Sequence, residues 1–437
     1  MNKLFLVTTT VALVLSHSLF AKEKVVEETE QTRFESLSKL TKVIGTVEKY
    51  YVDDIKLQEI VDKTLKGLMQ ELDAHSSYLD KKASKEMSIQ TQGEFGGLGI
   101  TVGMRDGALT VISPIDDTPA FKAGIKSGDI ILKINETSTI GMTLDEAVTL
   151  MRGEPKTNIT IAVVRKGELK PLEFKMQRDI IKIQSVFAKK IENEDLLYLR
   201  IASFDEKVTN DLEKIIKENK NVKGLILDLR NNPGGLLNQA IGVVNLFVDK
   251  GVIVSQKGRS AEDEEKFEAT TSGTKTKLPL VVLVNEGSAS ASEIVSGSLQ
   301  DHKRAVIIGE KTFGKGSVQA VLPINENRTE NIKLTIAKYY LPSGRTIQAE
   351  GVTPDVTAYA GKVTQNDDNS FKIKEADLKK HLEGELQKVD ETKDTIKKEE
   401  KALKDETKKT ISKDDLLEDN QLNTSLAILK SLVIMNK

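Results

Sequence analysis

Cysteine and tryptophan are absent from the 437 residues, aromatic residues make up 4%, and only four histidines occur: His17, His75, His302 and His381. Without cysteine there is no thiol nucleophile, disulfide, Fe–S cluster, cysteine-based zinc site or cysteine-linked lipid. So few aromatics argue against stacking platforms for single strands or sugars. Charge of one sign is lacking too. The 64 Lys+Arg against 66 Asp+Glu leave a net charge of −2, which offers no field to draw in nucleic acid. Hydrophobic residues, at 38%, are normal for a globular chain, but the charged share of 30% exceeds the usual ~25%, so one segment carries the surplus. The length suits about three domains.

Long apolar runs are also missing, apart from the start. Lys3 followed by an apolar stretch from Leu4 to Leu15, broken only at Thr8–Thr10, reads as an export signal with cleavage after Ser18 or Ala21. The run is shorter than the ~20 residues of a spanning helix, and a retained anchor is the alternative. The expected location is exported and periplasmic, or inner-membrane-associated if the signal stays. Residues 1–21 are thus assigned to the signal.

From Phe34 to Leu72 apolar residues recur at spacings of three and four, which predicts helices within an N-terminal region, 22–88. From Gly93 to Arg178 Gly-rich turns separate short β-branched runs (Leu109–Ile112, Ile130–Ile134, Ile159–Val164), with one helical stretch at Thr143–Met151. This is a β-rich module, bounded at 89–178. Strands then alternate with helices through residues 179–362. Strands fall at Leu196–Ile201, Val222–Leu229, Val252–Ser255, Leu278–Val284 and Ala305–Ile308, with helices at Val208–Glu218, Leu236–Val248 and Ala289–Asp301. That order predicts a parallel α/β sheet. Between Phe371 and Asn420, 28 of 50 residues are charged, 13 Lys and 15 Asp+Glu, so this stretch of the charged tail, 363–437, is expected to be a solvated helix or disordered linker. Leu422–Val433 closes the chain as an amphipathic helix able to dock on the body or on another subunit.

The turn Asn285–Glu293 follows the glycine-free strand Leu278–Val284 and opens a helix, where backbone N–H groups and the positive helix end converge. A serine here suits nucleophilic attack with N–H stabilisation of the oxyanion. From local sequence alone, Ser288, Ser290 or Ser292 taken singly reads first as a helix cap. His302, 12 residues past Ser290, lies about 18 Å away along a helix, too far to serve as base. His75 and His381 read as surface or packing residues. The strand Ala305–Ile308 returns the chain to the serine's edge of the sheet, where the loop Gly309–Gly316 places Lys315 within reach. A desolvated lysine can act as general base, with activity rising through pH ~7–9. Gln319, four residues on in an extended segment, faces the same side and can orient the amine. A phosphate-loop reading of Gly314–Ser317 fails because the GxxxxGK[ST] spacing is missing. The second Gly-rich turn, Arg230–Gly235, can supply another oxyanion donor or be a plain strand-to-helix turn.

Four co-linear motifs resemble the carboxyl-terminal processing proteases, a family of serine peptidases: Gly287–Ile294 (GSASASEI), Thr312–Gln319 (TFGKGSVQ), Leu227–Gly235 (LDLRNNPGG) and Tyr340–Ile347 (YLPSGRTI). Asp73–Tyr78 resembles the family's Asp-Pro-His-Ser motif, with Ala74 in place of proline. The resemblance implies an α+β multidomain chain: an N-terminal helical segment, a PDZ domain with two helices, an α/β peptidase core of the crotonase/Clp-like type, and the charged tail. It implies Ser290 as nucleophile, Lys315 as base and Gln319 as the orienting residue. Ala291 N–H and either Gly234 or Gly235 would form the oxyanion hole. The middle module resembles a PDZ domain through Gly97-Leu98-Gly99-Ile100, the carboxylate-binding loop, and Pro119–Asp129. Substrate tails would pair with the strand beginning at Ile100.

The activity expected is an exported endopeptidase that cleaves proteins near their C termini through an acyl-enzyme. The other reading is a catalytically inactive PDZ scaffold on a peptidase fold. No cofactor or metal is expected. Expected partners are proteins with unstructured C-terminal tails, an adaptor protein and further copies of the chain (a dimer or higher homo-oligomer). Arg152, which ends the PDZ helical stretch, is the regulatory candidate. It is expected either to pair with Glu154 or Asp145 or to contact the Lys315/Gln319 segment when the PDZ domain is tail-loaded.

Overall fold

A computed structural model describes residues 30–105, 107–115, 117–363 and 410–436. The signal segment, His17, His381 and most of the charged tail lie outside the described residues. The chain divides into two compact units, the first ending at Glu71. Its described part is two helices, Glu30–Tyr50 and Leu57–Gln70. The three-and-four spacing made them legible, yet Phe34, Leu37, Leu40 and Val43 are all exposed and the first helix buries no residue.

In the second unit, the short strand Ser77–Leu79 leads to the helix Lys81–Gln92. Asp80 caps that helix through Ala83 N–H (3.0 Å), and Gly93, at φ 65°, ends it. It therefore runs across the expected boundary at 88. Two strands, Glu94–Gly97 and Asp179–Lys182, pair antiparallel and bracket the middle module. Within it, Ile100–Arg105, Ala108–Pro114, Ile130–Ile134, Asn158–Val164 and Leu172–Gln177 form an antiparallel sheet, and Thr137–Ser138 pairs on Ile130–Ile134. Ile100–Arg105 is an edge strand. The helix Leu144–Met151 begins with a capping box at Thr143 and Glu146. Pro119–Ala123 is a second, short helix.

The core sheet runs in the order Val356–Thr357, Val306–Gly309, Leu280–Val284, Gly224–Asp228, Leu196–Ile201, Val186–Ile191, Thr410–Ile411. Its central strands are parallel, as the alternating pattern predicts, while Val186–Ile191 pairs antiparallel with Leu196–Ile201. The apolar run at Leu280–Val284 is explained by burial on both faces. Leu280, Val282 and Val284 pack with the helices Val208–Glu218, Leu237–Asn245 and Ala291–Asp301. Val281 and Leu283 pack with Leu422, Leu426 and Leu429 of the C-terminal helix Asn420–Met435. At about 1.5–3 kcal/mol per fully buried aliphatic side chain, these two layers dominate the favourable side of folding.

The C-terminal helix thus docks on the body. Part of the segment expected to be solvated is likewise ordered, with Thr410–Ile411 joining the core sheet and Lys413–Glu418 helical. A second, antiparallel sheet was not anticipated. In it the long strand Asn331–Tyr340 pairs with Ser317–Pro323, with Ser77–Leu79 and with Gly251–Lys257, and the last pairs with Glu264–Ala269.

Candidate active site

Three adjacent parallel strands, Gly224–Asp228, Leu280–Val284 and Val306–Gly309, deliver their following loops to one edge of the core sheet. Between the second strand and the helix Ala291–Asp301 the chain turns sharply at Ser290, which adopts φ 54° and ψ −111°. A non-glycine residue in that region costs about 1–3 kcal/mol and persists only when its surroundings impose it. The imposing group is Glu293, wholly buried, whose Oε2 accepts from Ser290 N–H (2.8 Å) and Lys315 N–H (2.9 Å). Its Oε1 accepts from Thr312 Oγ1 (2.5 Å) and Gly314 N–H (2.7 Å). One carboxylate therefore fixes both the serine turn and the lysine loop. Sequence reading passed over Glu293, although Ser-x-x-Glu ahead of a helix is the capping-box spacing.

The three serines separate cleanly. Ser288 Oγ donates to Leu229 O (2.8 Å) and Ser292 Oγ to Asn232 O (2.9 Å), and both residues are wholly buried. Ser290 alone of the three lines an open cleft of about 720 Å³, together with Gly234, Gly235, Lys315 and Gln319. A cleft of about 680 Å³ at the amino ends of the strands, lined by His302 and Arg304, holds none of these residues. His302 ends the helix that Ser290 begins, and its Nε2 contacts Val252 O at 2.8 Å.

The Arg230–Gly235 turn is laced to the serine turn. Asn231 N–H donates to Asn285 Oδ1 (2.8 Å), and Ala289 N–H donates to Asn232 O (3.0 Å). A Cβ on Gly234 would lie 2.9 Å from Ser290 Cβ, so no side chain fits there. Gly234 N–H is taken by Asn232 Oδ1 (2.9 Å), whereas Gly235 N–H makes no hydrogen bond among the described residues. Beneath the turn, wholly buried Asp228 accepts from Tyr198 OH (2.8 Å) and pairs with Arg230 (2.7 Å). Arg230 also pairs with Asp419 (2.8 Å), next to the C-terminal helix.

Lys315 is half-buried, and its pKa is lowered by desolvation and then by the charge of Lys333, with Glu293 acting in the opposite direction. Gln319 Nε2 donates to Ser317 Oγ (2.9 Å) and Thr335 Oγ1 (3.2 Å). His75, read from sequence as a packing or surface residue, lies close enough to Lys315 for that charge to help depress its own pKa, after desolvation. The reason is the pairing of Ser77–Leu79 with the long strand, which no local pattern reveals.

In the middle module, Gly97 ends a strand, Leu98 is buried in its core and Gly99 turns at φ 72° into the edge strand at Ile100. Arg152 lies over the Phe95 ring (5.0 Å) and outside the cleft lining, and Asp145 pairs with Lys82 (2.8 Å). The Tyr340–Ile347 motif also stands apart from the cleft. Its Arg345 pairs with Asp301 (3.0 Å) at the far end of the serine helix.

Known proteins place this architecture. The description of peptidase family S41 matches residues 195–358 and that of the PDZ domain residues 96–176. The carboxy-terminal-processing protease of Bartonella bacilliformis is 43% identical, with 85% of this chain and 86% of that protein covered. The carboxy-terminal processing protease CtpA of Bacillus subtilis is 36% identical, with 81% and 76% covered. A solved structure, the photosystem II D1 C-terminal processing protease, aligns at 28% identity over 75% of this chain and 88% of its own, with a TM-score of 0.42. The chain belongs to peptidase family S41. It is a C-terminal processing serine peptidase carrying a PDZ domain.

Proposed function

We propose that the chain is an exported endopeptidase that hydrolyses peptide bonds near protein C termini with a Ser290–Lys315 dyad. The observation that carries this reading is the Glu293 carboxylate, which binds Ser290 N–H and Lys315 N–H at one oxygen. Neutral Lys315 takes the Ser290 Oγ proton as the oxygen attacks the substrate carbonyl. The tetrahedral oxyanion is met by Ala291 N–H, which has no intrahelical acceptor, and by Gly235 N–H. Gly235 is favoured over Gly234 because Asn232 already occupies the Gly234 N–H. Collapse returns the proton from Lys315 to the leaving amine, and water then releases the acyl group from Ser290 with Lys315 again as base. Gln319 orients the amine.

Residues 97–100 and the edge strand hold the substrate tail, with its carboxylate at the backbone of the Gly97–Ile100 loop. The exposed apolar side chains of Glu30–Tyr50 support self-association into a dimer or higher oligomer, and an adaptor protein delivers substrates. The signal at residues 1–21 directs the protein to the periplasm; among the described residues no helix is long and apolar enough to cross a membrane. The remaining divisions follow 22–88, 89–178, 179–362 and 363–437, with the 88/89 boundary moved to Gly93, where the helix Lys81–Gln92 ends.

Tail capture and the Arg152 switch are tested with the same tailed substrate. A folded protein with a free apolar tail is expected to be cleaved at least tenfold faster than the same protein with its terminal carboxylate amidated; equal rates would remove the PDZ domain from substrate choice. Arg152 suits a loaded-state contact with the Lys315/Gln319 segment because its fork binds two acceptors at once. Since it rests on Phe95 in this structure, that contact requires movement on loading. Arg152→Ala is expected to reduce cleavage of the tailed protein at unchanged thermal stability. Full activity on both the tailed protein and a short peptide would end the switch reading.

A further inference from the structure

The Asp73–Ser76 turn takes no part in the mechanism above, yet hydrogen bonds connect it to Gln319. The strand that follows it pairs with Asn331–Tyr340 at Ser77↔Lys333, and the strand carrying Gln319 pairs with the same partner at Gln319↔Thr335. Thr335 Oγ1 stands between the two, 3.1 Å from Asp73 Oδ1 and 3.2 Å from Gln319 Nε2. Asp73 also accepts from His75 N–H (2.7 Å), Ser76 N–H (2.9 Å) and Ser76 Oγ (2.7 Å). The Ser76 hydroxyl, ahead of the backbone donors and Thr335, holds the Asp73 carboxyl down at about 2, so it is ionised throughout the working range.

An ionised carboxylate only accepts. The Thr335 hydroxyl proton must therefore point to Asp73, which leaves the Thr335 oxygen to accept from Gln319. That fixes the Gln319 NH2 group on the Thr335 side, and its second hydrogen goes to Ser317 Oγ (2.9 Å). With both donors spent, Oε1 is the side-chain atom of Gln319 left for Lys315. We propose that Asp73, acting through Thr335, is a positioning residue that sets the rotation of the Gln319 amide so that its carbonyl oxygen, and not its NH2 group, meets the Lys315 amine. Turned over, the NH2 group would donate to the amine lone pair, the pair needed for the Ser290 proton. The inference rests on the reading of Lys315 as base and Gln319 as its orienting partner.

Lys315 is also subject to Lys333 on the long strand and Glu293 on the serine helix, and its own charge bears on His75 in the Asp73 turn; the test leaves all three in place. Thr335→Val removes the hydroxyl at nearly constant shape. It is expected to lower kcat on a short peptide about tenfold with KM within about twofold. The acid limb of the pH profile should move to lower pH, because loss of a carbonyl acceptor disfavours the ammonium form. Thr335→Ser is expected to restore both. Asp73→Ala should reproduce the Thr335→Val signature and decides the matter if that variant fails to fold. Asp73→Asn, which keeps Oδ1, should stay within about threefold of the parent. Unchanged kcat and limb in Thr335→Val or in Asp73→Ala, or loss of activity with an unmoved limb, would overturn the relay. Gln319→Ala separates the two levels: impaired Gln319→Ala beside unimpaired Thr335→Val defeats the relay alone, whereas a fully active Gln319→Ala defeats the underlying reading.

Discussion

Ser290→Ala and Lys315→Ala are each expected to lower kcat/KM on a tailed protein by about 10⁴-fold or more, and the double variant is expected to be no worse than either single one. In the proposed mechanism nucleophile and base act in one proton transfer, so removing either removes the step and the second loss has nothing further to take. Folding should survive both changes. Ser290 lies at the wall of an open cleft, and Ser290→Ala also removes a polar group without leaving a donor unmet. Lys315 is held by its backbone: Lys315 N–H and Gly314 N–H bind Glu293, and Gly314 O accepts from Ala349 N–H (2.9 Å). Steady-state kinetics with thermal melting as control decides the point. Additive losses would show that the two residues do not share a step.

Glu293→Ala is expected to damage activity and stability together. The wholly buried carboxylate satisfies three backbone N–H groups and the Thr312 hydroxyl, and Thr312 Oγ1 in turn accepts from Val352 N–H (2.7 Å). Hydrogen bonds to charged groups contribute roughly 1.5–3 kcal/mol each, and orphaning several buried donors at once is expected to cost about 3–5 kcal/mol in total. The strained turn at Ser290 would relax as well, so residual activity in the folded fraction should fall at least 100-fold. Glu293→Gln keeps one acceptor but turns an NH2 group toward backbone donors, and should recover little of either loss. Denaturant unfolding and kcat/KM measured on the same preparation test both parts. Wild-type activity with lowered stability would restrict Glu293 to holding the fold.

The parts of the fold and site that sequence reading reached are those governed by local rules. Leu196–Ile201, Val208–Glu218 and Ile130–Ile134 have the bounds that periodicity gave them, because their apolar faces are set by neighbours in the chain. Lys315 was placed beside Ser290 by parallel-sheet logic alone: strand, helix, strand returns the chain to the same edge. What remained hidden depends on partners chosen across long separations. Asn331–Tyr340 binds strands more than 250 and fewer than 25 residues away, and nothing in its own sequence names them. Only that strand brings His75 near Lys315 and connects Asp73 through Thr335 to Gln319, so sequence reading missed both links. The ion pairs from Asp228 through Arg230 to Asp419 join the Arg230–Gly235 turn to a segment whose charge density read as solvated. Charge density reports solvation on average and cannot single out the one aspartate that finds a buried arginine.

Covalent labelling tests the central claim most directly. A fluorophosphonate reacts with an activated serine irreversibly, and the modified residue can be read by peptide mass mapping. The labelling rate is expected to rise with pH through the lowered pKa of Lys315, since only the neutral amine can take the hydroxyl proton. The adduct should sit on Ser290, and Lys315→Ala should remain unlabelled at every pH at which it is folded. An adduct on Ser288 or Ser292, or wild-type labelling of Ser290 in Lys315→Ala, would contradict the dyad.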